Sequence, residues 1–391
     1  MMTLLLHLKR FLGIIAGIVF LLSGIVKLMD PVGAGLVMSE YYSFLHIDFM
    51  DFSAKFMGTF FALTEAIIGV AIITGVWRRI VAYCALGLQT FFTILTLFLV
   101  IFNPEMDCGC FGEAVHLTHA QTFIKNLILL ALILAYMLPI RQLGETNKRS
   151  YISFALVSIS VLAFTVYSWI YIPLIDFTAY KPGAELLAGA KIDPNEMFET
   201  VFTYEKEGKK ETFTLQNLPD STWTFISADT RKNEAAAKDF IELSFYCPET
   251  GEYMDTLATQ GKVMVVSVYD TDIRSGKWED IKAFMRRSDE AGFTTLLLCS
   301  RPEGIPTSLK ENAFISDYKT LISMNRSNGG VTYFNNGILI RKWARISAPE
   351  IGELNQTFSN DPTEVSIDRE SKGSLGFQGF LLYVFAVMLL L

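Results

Sequence analysis

The stretch "MDCGCFG", residues 106–112, places two cysteines one glycine apart between two long apolar segments. These segments cover about residues 80–102 and 123–140, and each can cross a bilayer, which takes roughly twenty mostly apolar residues. Cys108 and Cys110 therefore lie in a short polar connection at the membrane surface. This arrangement decides the fold class of the first part of the chain, which is a set of membrane-spanning helices joined by short loops.

Further apolar segments of similar length extend this pattern along the chain. The chain has 391 residues, 51% of them hydrophobic, and its apolar segments concentrate before about residue 175. We predict five spans, at about residues 11–28, 56–76, 80–102, 123–140 and 151–174. We also expect the short apolar stretch within residues 375–391 to form a sixth transmembrane helix. The sequence thus predicts a membrane α-helical bundle.

Basic residues beside the spans predict the orientation of the bundle. They fall on one side if every predicted span crosses the membrane: Lys9, Arg10, Arg78, Arg79, Arg141, Lys148 and Arg149. By the positive-inside rule, this side is the cytoplasm. We therefore expect a protein of the bacterial inner (cytoplasmic) membrane with a cytoplasmic N-terminus. The Cys108–Cys110 loop and the globular region would face the periplasm, a compartment that permits disulfides.

The spacing of Cys108 and Cys110 favours a reactive thiol pair over a structural disulfide. A disulfide across a single residue closes a very small ring, and departure from relaxed geometry makes such a bond easier to reduce. It also removes little entropy from the unfolded chain, so it would stabilise the fold only weakly. We predict that this pair is catalytic in thiol–disulfide exchange, with His116, His119 and Asp107 as candidate assisting residues.

Two other interpretations of this loop remain open. Cys108, Cys110, His116 and His119 have the spacing C-x-C-x5-H-x2-H, which could supply four ligands to zinc or copper. However, "THAQ", residues 118–121, also indicates a capping box at the start of a helix, which explains a histidine there without a metal. A structural role, including a disulfide to a more distant cysteine, is the third interpretation.

Polar residues inside the predicted spans indicate a second feature of the membrane half. Lys27 lies in "LLSGIVKLMDP", Glu65 in "FALTEAIIG", and Gln89 in the third span. Such residues are costly in a bilayer and therefore informative. We predict that they form an intramembrane polar pocket. It would either fix helix packing through an ion pair and hydrogen bonds, or serve a quinone headgroup or a proton path.

These stretches together carry a resemblance to a known family. "LLSGIVKLMDP" (residues 21–31), Glu65 followed by "IIG", and "DCGCFG" resemble the DoxX family and its redox-associated relative MauE. The resemblance covers about the first 140 residues, and we assign residues 1–145 to a DoxX/MauE-like four-helix membrane unit. It implies a link to disulfide formation in methylamine dehydrogenase maturation. By similarity of plan to quinone-linked membrane proteins, it also implies a membrane quinone as cofactor.

The region after the fifth transmembrane helix (residues 150–175) has the composition of a globular domain, which the basic family unit lacks. Residues 176–230 predict a small β-rich linker region with a hairpin, and residues 231–370 predict a degenerate thioredoxin-like α/β domain in the periplasm. The expected elements are a strand "KVMVVSVYD", a helix "WEDIKAFMRRSDEAG", a strand "FTTLLLCS" and a late hairpin "GGVTYFNNGILIRKW". The Cys-x-x-Cys motif of thioredoxin is missing, because "YDTDIRSGKW" follows the first core strand. The whole combination resembles family members of Bacteroidetes-type bacteria.

Two cysteines of this domain are candidates for a thiol relay. Cys247 lies in the turn "YCPETG", where we expect exposure, and Cys299 ends a core strand, where we expect burial. They could exchange with the Cys108–Cys110 pair or bond to each other. Cys84, within the third span, fits a small apolar residue without chemistry.

The leading hypothesis is a membrane thiol–disulfide oxidoreductase that acts on periplasmic proteins and is coupled to quinone. The alternative is a non-enzymatic adaptor or assembly subunit of an envelope complex. The missing Cys-x-x-Cys favours this alternative, as do Glu105, Asp107 and Glu113 beside the cysteine pair, because negative charge raises the pKa of a thiol. The net charge of −7 gives no case for nucleic acid binding, so the expected partners are lipid and a periplasmic protein.

Overall fold

The computed structural model confirms five membrane helices in the N-terminal part of the chain. The residues it describes are 2–104, 106, 108–115, 117–139, 143, 146–189, 198–206, 209–232, 240–310 and 313–390. The helices long and apolar enough to cross a membrane are His7–Met29, Asp48–Thr74, Arg78–Phe102, His119–Met137 and Lys148–Ile170. Each coincides with one predicted span, although the ends differ by a few residues.

The membrane half also contains a helix in a stretch that we expected to be an outer loop. The helices in chain order are α1 (Met2–Met29), α2 (Pro31–Phe44), α3 (Ala54–Thr74), α4 (Arg78–Phe102), α5 (His119–Met137) and α6 (Lys148–Ile170), and a 3-10 helix (Asp48–Ser53) precedes α3. The unexpected helix is α2. Asp30 begins it by accepting a hydrogen bond from the Gly33 amide (2.9 Å), and Pro31 occupies its first position.

Helices α1 and α3 approach each other closely because glycines lie at their contact. A Cβ atom on Gly24 would lie 2.6 Å from the Ala62 carbonyl oxygen and 2.6 Å from the Ala66 amide nitrogen. A Cβ on Gly69 would lie 2.5 Å from the Leu21 amide nitrogen. Small residues at such contacts let two membrane helices pack backbone to backbone. The backbones of α1 and α3 are therefore in direct contact.

Several of the basic residues used to predict orientation lie at the end of the bundle opposite the cysteine loop. The Arg10 guanidinium donates to the carbonyls of Ile72 (2.7 Å) and Ile73, and the Arg78 guanidinium donates to the Leu143 carbonyl (2.8 Å). Lys9 donates to the carbonyl that ends α5. Arg141 lies outside the described residues. These contacts place the side chains at one end of the bundle, and its assignment to the cytoplasm stays a prediction.

The C-terminal part of the chain is a β-rich domain. Its strands follow β1 (Cys110–Glu113) of the cysteine loop and are β2 (Glu185–Leu186), β3 (Phe198–Lys206), β4 (Lys209–Thr214), β5 (Thr224–Lys232), β6 (Phe240–Ile241), β7 (Tyr246–Cys247), β8 (Glu252–Tyr253), β9 (Lys262–Val268), β10 (Thr294–Cys299), β11 (Ala313–Ile315), β12 (Gly330–Asn335) and β13 (Ile338–Trp343). Its helices are α7 (Ser275–Glu290), α8 (Thr307–Lys310), α9 (Tyr318–Met324), α10 (Ile351–Ser359) and α11 (Pro362–Leu390).

Most of these strands form one mixed sheet in the order β6-β2-β13-β12-β9-β10-β11-β7-β8, while β4-β3-β5 form a separate small sheet. β9 and β10 are parallel and joined by α7, and β12 is antiparallel to both β9 and β13. The predicted helix, strand and late hairpin are therefore confirmed as elements. Trp278 and Phe284 of α7 pack on one face of the large sheet, and Leu321 and Met324 of α9 pack on the other.

The last helix, α11, returns along the bundle beside α6. The Phe380 ring stacks on Phe164 with 4.6 Å between centroids, and the Ser153 hydroxyl donates to the Val387 carbonyl (3.2 Å). Because Ser153 precedes Phe164 while Val387 follows Phe380, the two helices are antiparallel. In the described part of the chain, α11 is not one of the helices that qualify as candidate spans. The sixth span stays a prediction, now with this packing in its favour.

The β-rich domain is joined to the bundle by buried ion pairs. Arg326, which follows α9, donates to the Asp30 carboxylate over 2.9 Å, and these side chains are only 5% and 15% exposed. Lys342 of β13 donates to Asp176, after α6, over 2.5 Å. Asp30 also caps α2, so the same carboxylate begins a helix of the bundle and holds the domain against it.

Because the α1–α3 contact has no room for a side chain, Gly24→Ala is expected to destabilise the bundle by about 1–3 kcal/mol, the usual cost of overpacking. Gly87→Ala in α4 is the matched control, since no atom lies within 4 Å of its added Cβ and alanine is the better helix former. The measurement is thermal unfolding of the purified protein in detergent. Equal losses in the two variants would contradict the close α1–α3 contact.

Candidate functional site

A cavity of about 330 Å³ lies among α1 to α5 at the end of the bundle that carries the cysteine loop. Its wall combines the residues of the predicted polar pocket with the cysteine pair. The polar and sulfur-bearing side chains of this wall include Ser23, Lys27, Glu65, Gln89, Cys108, Cys110, Lys125 and Asn126. Much of the remaining lining is apolar, with Phe61, Phe91 and Phe92 among it. Two features that were predicted separately thus share one space.

An ion pair lies in the wall of this cavity. The Lys27 ammonium donates to both oxygens of the Glu65 carboxylate, at 2.7 and 2.9 Å, and the two side chains are 15% and 5% exposed. The Lys27 Nζ also lies 5.6 Å from the centre of the Phe92 ring. Such a buried pair is stable only when both partners are present, because either charge alone would be desolvated without compensation. The predicted ion pair between α1 and α3 is therefore present.

Ser23 connects this ion pair to the cysteine loop. Its hydroxyl oxygen lies 2.8 Å from Glu65 Oε2 and 2.8 Å from the Cys110 carbonyl oxygen, and both are acceptors. The hydroxyl can therefore donate to the carboxylate or to the loop backbone. A change in the charge of Glu65 would alter how Ser23 holds Cys110. Lys27 and Glu65 were predicted from the sequence, but Ser23 was not. Its position one turn before Lys27 on α1 is the only sequence signal for it.

The cysteine loop is packed against α2. Cys108 is buried beside Tyr41 and Leu99, whereas Cys110 is half-buried at the start of β1. The Tyr41 hydroxyl donates to the Cys108 carbonyl over 3.0 Å. Burial, followed by electrostatic repulsion from Cys110 and Cys108, raises the pKa of Tyr41, so this phenol stays a neutral donor. Tyr41 therefore holds the loop at all ordinary pH values.

Gly109 is required between the two cysteines for steric and conformational reasons. Its φ of +60° lies in the left-handed region, and a Cβ atom there would come within 2.3 Å of the Val37 Cγ1. The amide of Gly112 donates to the Gly109 carbonyl over 3.2 Å, which closes the turn. Cys-Gly-Cys thus fits into a tight turn against α2.

Gln89 and Asn126 connect α4 to α5 in the opposite wall. The Gln89 Nε2 donates to the Asn126 carbonyl (3.1 Å), and the Asn126 Nδ2 donates to the Thr96 hydroxyl (3.1 Å). Gln89 therefore lines the cavity, and its amide nitrogen is also used in helix packing.

The side chain of His119, a candidate assisting residue, bonds to the backbone of the cysteine loop. The capping box at Thr118 is present, with bonds of 3.2 and 3.0 Å to and from Gln121. The ring nitrogens of His119 bond to the Met106 carbonyl (3.0 Å) and to the Asn103 side chain (3.2 Å). His116 and Asp107 lie outside the described residues. Among the residues that are described, no three His, Cys, Asp or Glu side chains form a group that could hold a metal ion.

The two cysteines of the β-rich domain differ in burial and in the direction of their pKa shifts. Burial raises the pKa of Cys299, at the end of β10, to about 12. Hydrogen bonds from the side chain and backbone of Thr250 lower the pKa of Cys247. A disulfide between them does not fit, because β11 lies between their strands. Two strand spacings amount to about 10 Å, whereas bridged Cα atoms lie within about 7 Å. Both are free thiols.

We expect Cys247 to be alkylated by iodoacetamide at neutral pH and Cys299 to react only after unfolding, because the thiolate is the reactive form. Thr250→Val removes a hydrogen bond that stabilises the Cys247 thiolate, so the pKa rises and alkylation at pH 7 slows. Mass spectrometry of timed samples measures both rates. A Thr250→Val protein that reacts at the wild-type rate at every pH would contradict this assignment.

Glu65→Ala is expected to lower the free energy of unfolding by about 3–5 kcal/mol, because it leaves Lys27 buried without its partner. The double variant Lys27→Met/Glu65→Leu removes both charges and should recover most of this loss. Glu290→Ala, which breaks the exposed pair with Arg286, is the control and should cost less than about 1 kcal/mol. Denaturant titration of the purified protein measures all three. Similar losses for Glu65→Ala and Glu290→Ala would show that the buried pair does not hold the bundle.

Comparison with known proteins assigns the membrane half to a family. Residues 2–139 match the family model described as "Methylamine utilisation protein MauE", and residues 198–233 match a domain of unknown function, DUF8463. No curated protein and no solved structure matches the chain. The first match ends just after α5 and contains every residue of the cavity wall. Residues 2–139, which contain the membrane helices α1 to α5, are therefore a MauE-family domain.

Proposed function

We propose that this protein carries out thiol–disulfide exchange on periplasmic proteins through Cys108 and Cys110, with the membrane bundle coupled to a quinone. The observation that carries the proposal is the shared cavity, in which the cysteine pair and the Lys27–Glu65 ion pair line one space of about 330 Å³. A merely structural ion pair needs no cavity beside it, and a merely structural thiol pair needs no polar group within the membrane.

In the exchange step, every electron and proton that the client loses is taken up by Cys108 and Cys110. One thiolate of a client protein attacks the Cys108–Cys110 disulfide, which forms a mixed disulfide and releases one of the two cysteines as a thiol. The second client thiolate then attacks the mixed disulfide, which forms the client's own disulfide and releases the other cysteine. The client ends with one disulfide, and Cys108 and Cys110 end as two thiols that have gained two electrons and two protons. The chain turns tightly at Gly109, between the two cysteines. Tyr41 would hold this loop against α2 during the exchange.

The cavity fits a quinone headgroup in size and in lining. Its volume is near the lower end of the range for small-molecule sites, and the rings of Phe61, Phe91 and Phe92 offer apolar walls. When bound, a quinone would accept the two electrons and two protons released as Cys108 and Cys110 join in a disulfide. Lys27 would donate a hydrogen bond to a headgroup oxygen. Glu65 would hold a proton, with Ser23 as its hydrogen-bonded link to the loop.

The β-rich domain would recruit the client. We propose that β9, α7, β10 and the β12–β13 hairpin form a thioredoxin-like scaffold, since β9 is parallel to β10 and antiparallel to β12 in that order. The loop after β9 has no cysteine, so the domain would bind a protein without exchanging electrons there. This same feature favours the alternative, in which the protein is a non-enzymatic adaptor of an envelope complex. The DoxX relationship, the periplasmic position of this domain and the sixth span belong to the proposal as well.

Trapping thiols in cells tests the proposal. Rapid acid quenching followed by alkylation with a mass tag should find Cys108 and Cys110 partly oxidised, and depletion of membrane quinone should shift them to the reduced form. Cys108→Ser/Cys110→Ser should abolish the mixed disulfides with client proteins. Cys84→Ser is the matched control, since Cys84 lies on the outer face of α4, away from the cavity wall.

Two results would contradict the redox function. One is a pair that stays reduced whether or not quinone is present. The other is a double serine variant that supports the same oxidation of envelope proteins as the wild type. If that variant also retains a stoichiometric partner on purification, the adaptor function is supported instead.

A further inference from the structure

A second cavity, of about 300 Å³, lies between the bundle and the β-rich domain. The bundle contributes residues from the start of α2 and α3 and from the end of α6, and the domain contributes residues after β9, in α7 and after α9. It shares no lining residue with the cysteine cavity. A role for this cavity is therefore separate from the redox proposal.

The charges around this cavity are mainly positive. The cationic lining residues are Lys55, Lys277, Arg326 and Arg345, and the lining carboxylate is Asp30. Four positive charges and one negative charge leave a net charge of +3. Arg326 bonds to Asp30 (2.9 Å), and Arg345 bonds to the largely exposed Asp280 (3.2 Å), which lies outside this wall. When Asp280 is counted as well, the net charge around the cavity is still +2.

Among the cations of this cavity wall, Lys55 is the one that a bound anion would stabilise most. Its ammonium lies 4.5 Å from the centre of the Trp169 ring, and its side chain is half-buried. Within the described ranges, no carboxylate lies at ion-pair distance from it. Asp30 attracts this ammonium from a longer distance, but its carboxylate is already paired with Arg326. Partial burial of a cation is costly, and a ring face offsets only part of that cost. An anion in the cavity would offset the rest of the free-energy cost of burying the Lys55 ammonium.

The cavity lies where a membrane helix reaches the water interface. Trp169, Ile170 and Tyr171 at the end of α6 are 41%, 43% and 39% exposed, and Trp and Tyr are typical of the headgroup level of a bilayer. Arginine and lysine together are the usual partners of phosphate, which carries several acceptor oxygens. Ser327 and Asn328 add a hydroxyl and an amide to the wall.

From this geometry we propose that the cavity binds a phosphate group, and that Lys55 is its principal ligand with Lys277 and Arg345 as further cations. The phosphate belongs either to the headgroup of an anionic phospholipid or to a soluble phosphate compound. Because the site joins α3 and α6 to the β-rich domain, its occupation would stabilise the docked arrangement of the two parts.

The test is a thermal-shift titration of the full chain in a phosphate-free detergent buffer. The probes are inorganic phosphate, short-chain phosphatidylglycerol and short-chain phosphatidylcholine. We expect stabilisation by phosphatidylglycerol or by inorganic phosphate, and an apparent affinity about fivefold weaker in Lys55→Gln, the usual effect of one cation near anionic lipid. Lys277→Gln, an exposed position, should weaken binding in the same direction. Lys282→Gln, on the same helix α7 but outside the cavity, is the matched control.

The outcomes separate the sources and can overturn the site. Stabilisation by phosphatidylglycerol alone identifies a lipid headgroup, and stabilisation by inorganic phosphate identifies a soluble ligand. The proposal fails if none of the probes stabilises the protein. It also fails if Lys55→Gln and Lys277→Gln bind the effective probe as tightly as Lys282→Gln does, or if phosphatidylcholine is as effective as phosphatidylglycerol.

Discussion

The ion pair between Lys27 and Glu65 is the constraint around which the membrane half is organised. Two charges in an apolar bundle are tolerated only in contact, so α1 and α3 must keep a fixed register. The glycines at the α1–α3 contact allow that register by letting the backbones meet. The pair then forms part of a cavity wall, and Ser23 carries its hydrogen bonding to Cys110. Helix packing and the hydrogen bonding of the cysteine loop thus depend on one interaction.

Helix α2 connects this site to the rest of the protein. On one side Tyr41 and Val37 contact the cysteine loop, and at its start Asp30 pairs with Arg326 of the β-rich domain. A protein that binds the domain could therefore influence the loop through a single short helix. This arrangement gives a physical reason for joining a MauE-family bundle to a large domain that lacks a Cys-x-x-Cys motif of its own.

The elements of the fold followed largely from local sequence. Five apolar segments predict five spans because the bilayer fixes their length, and the capping box at Thr118 marks the start of α5. Alternating strands and an amphipathic helix predict the central part of the β-rich domain. By contrast, α2 was expected to be a loop, although the Asp30–Pro31 start is a recognisable signal for a helix. The mixed composition of α2 does not show a regular apolar face. The residues that it buries depend on the cysteine loop and the domain that pack against it.

The sequence by itself determined a membrane bundle, a cysteine pair in its connecting loop, polar residues within its spans and a mixed α/β character for the later part. Only the tertiary structure decided that Lys27 pairs with Glu65, that both share a cavity with Cys108 and Cys110, and that His119 bonds to the loop backbone. The reason is physical. Hydropathy and capping residues determine where a helix forms, and both are properties of residues that are near one another in the sequence. A cavity, by contrast, depends on how helices distant in sequence cross and rotate, and side-chain packing between them sets that geometry.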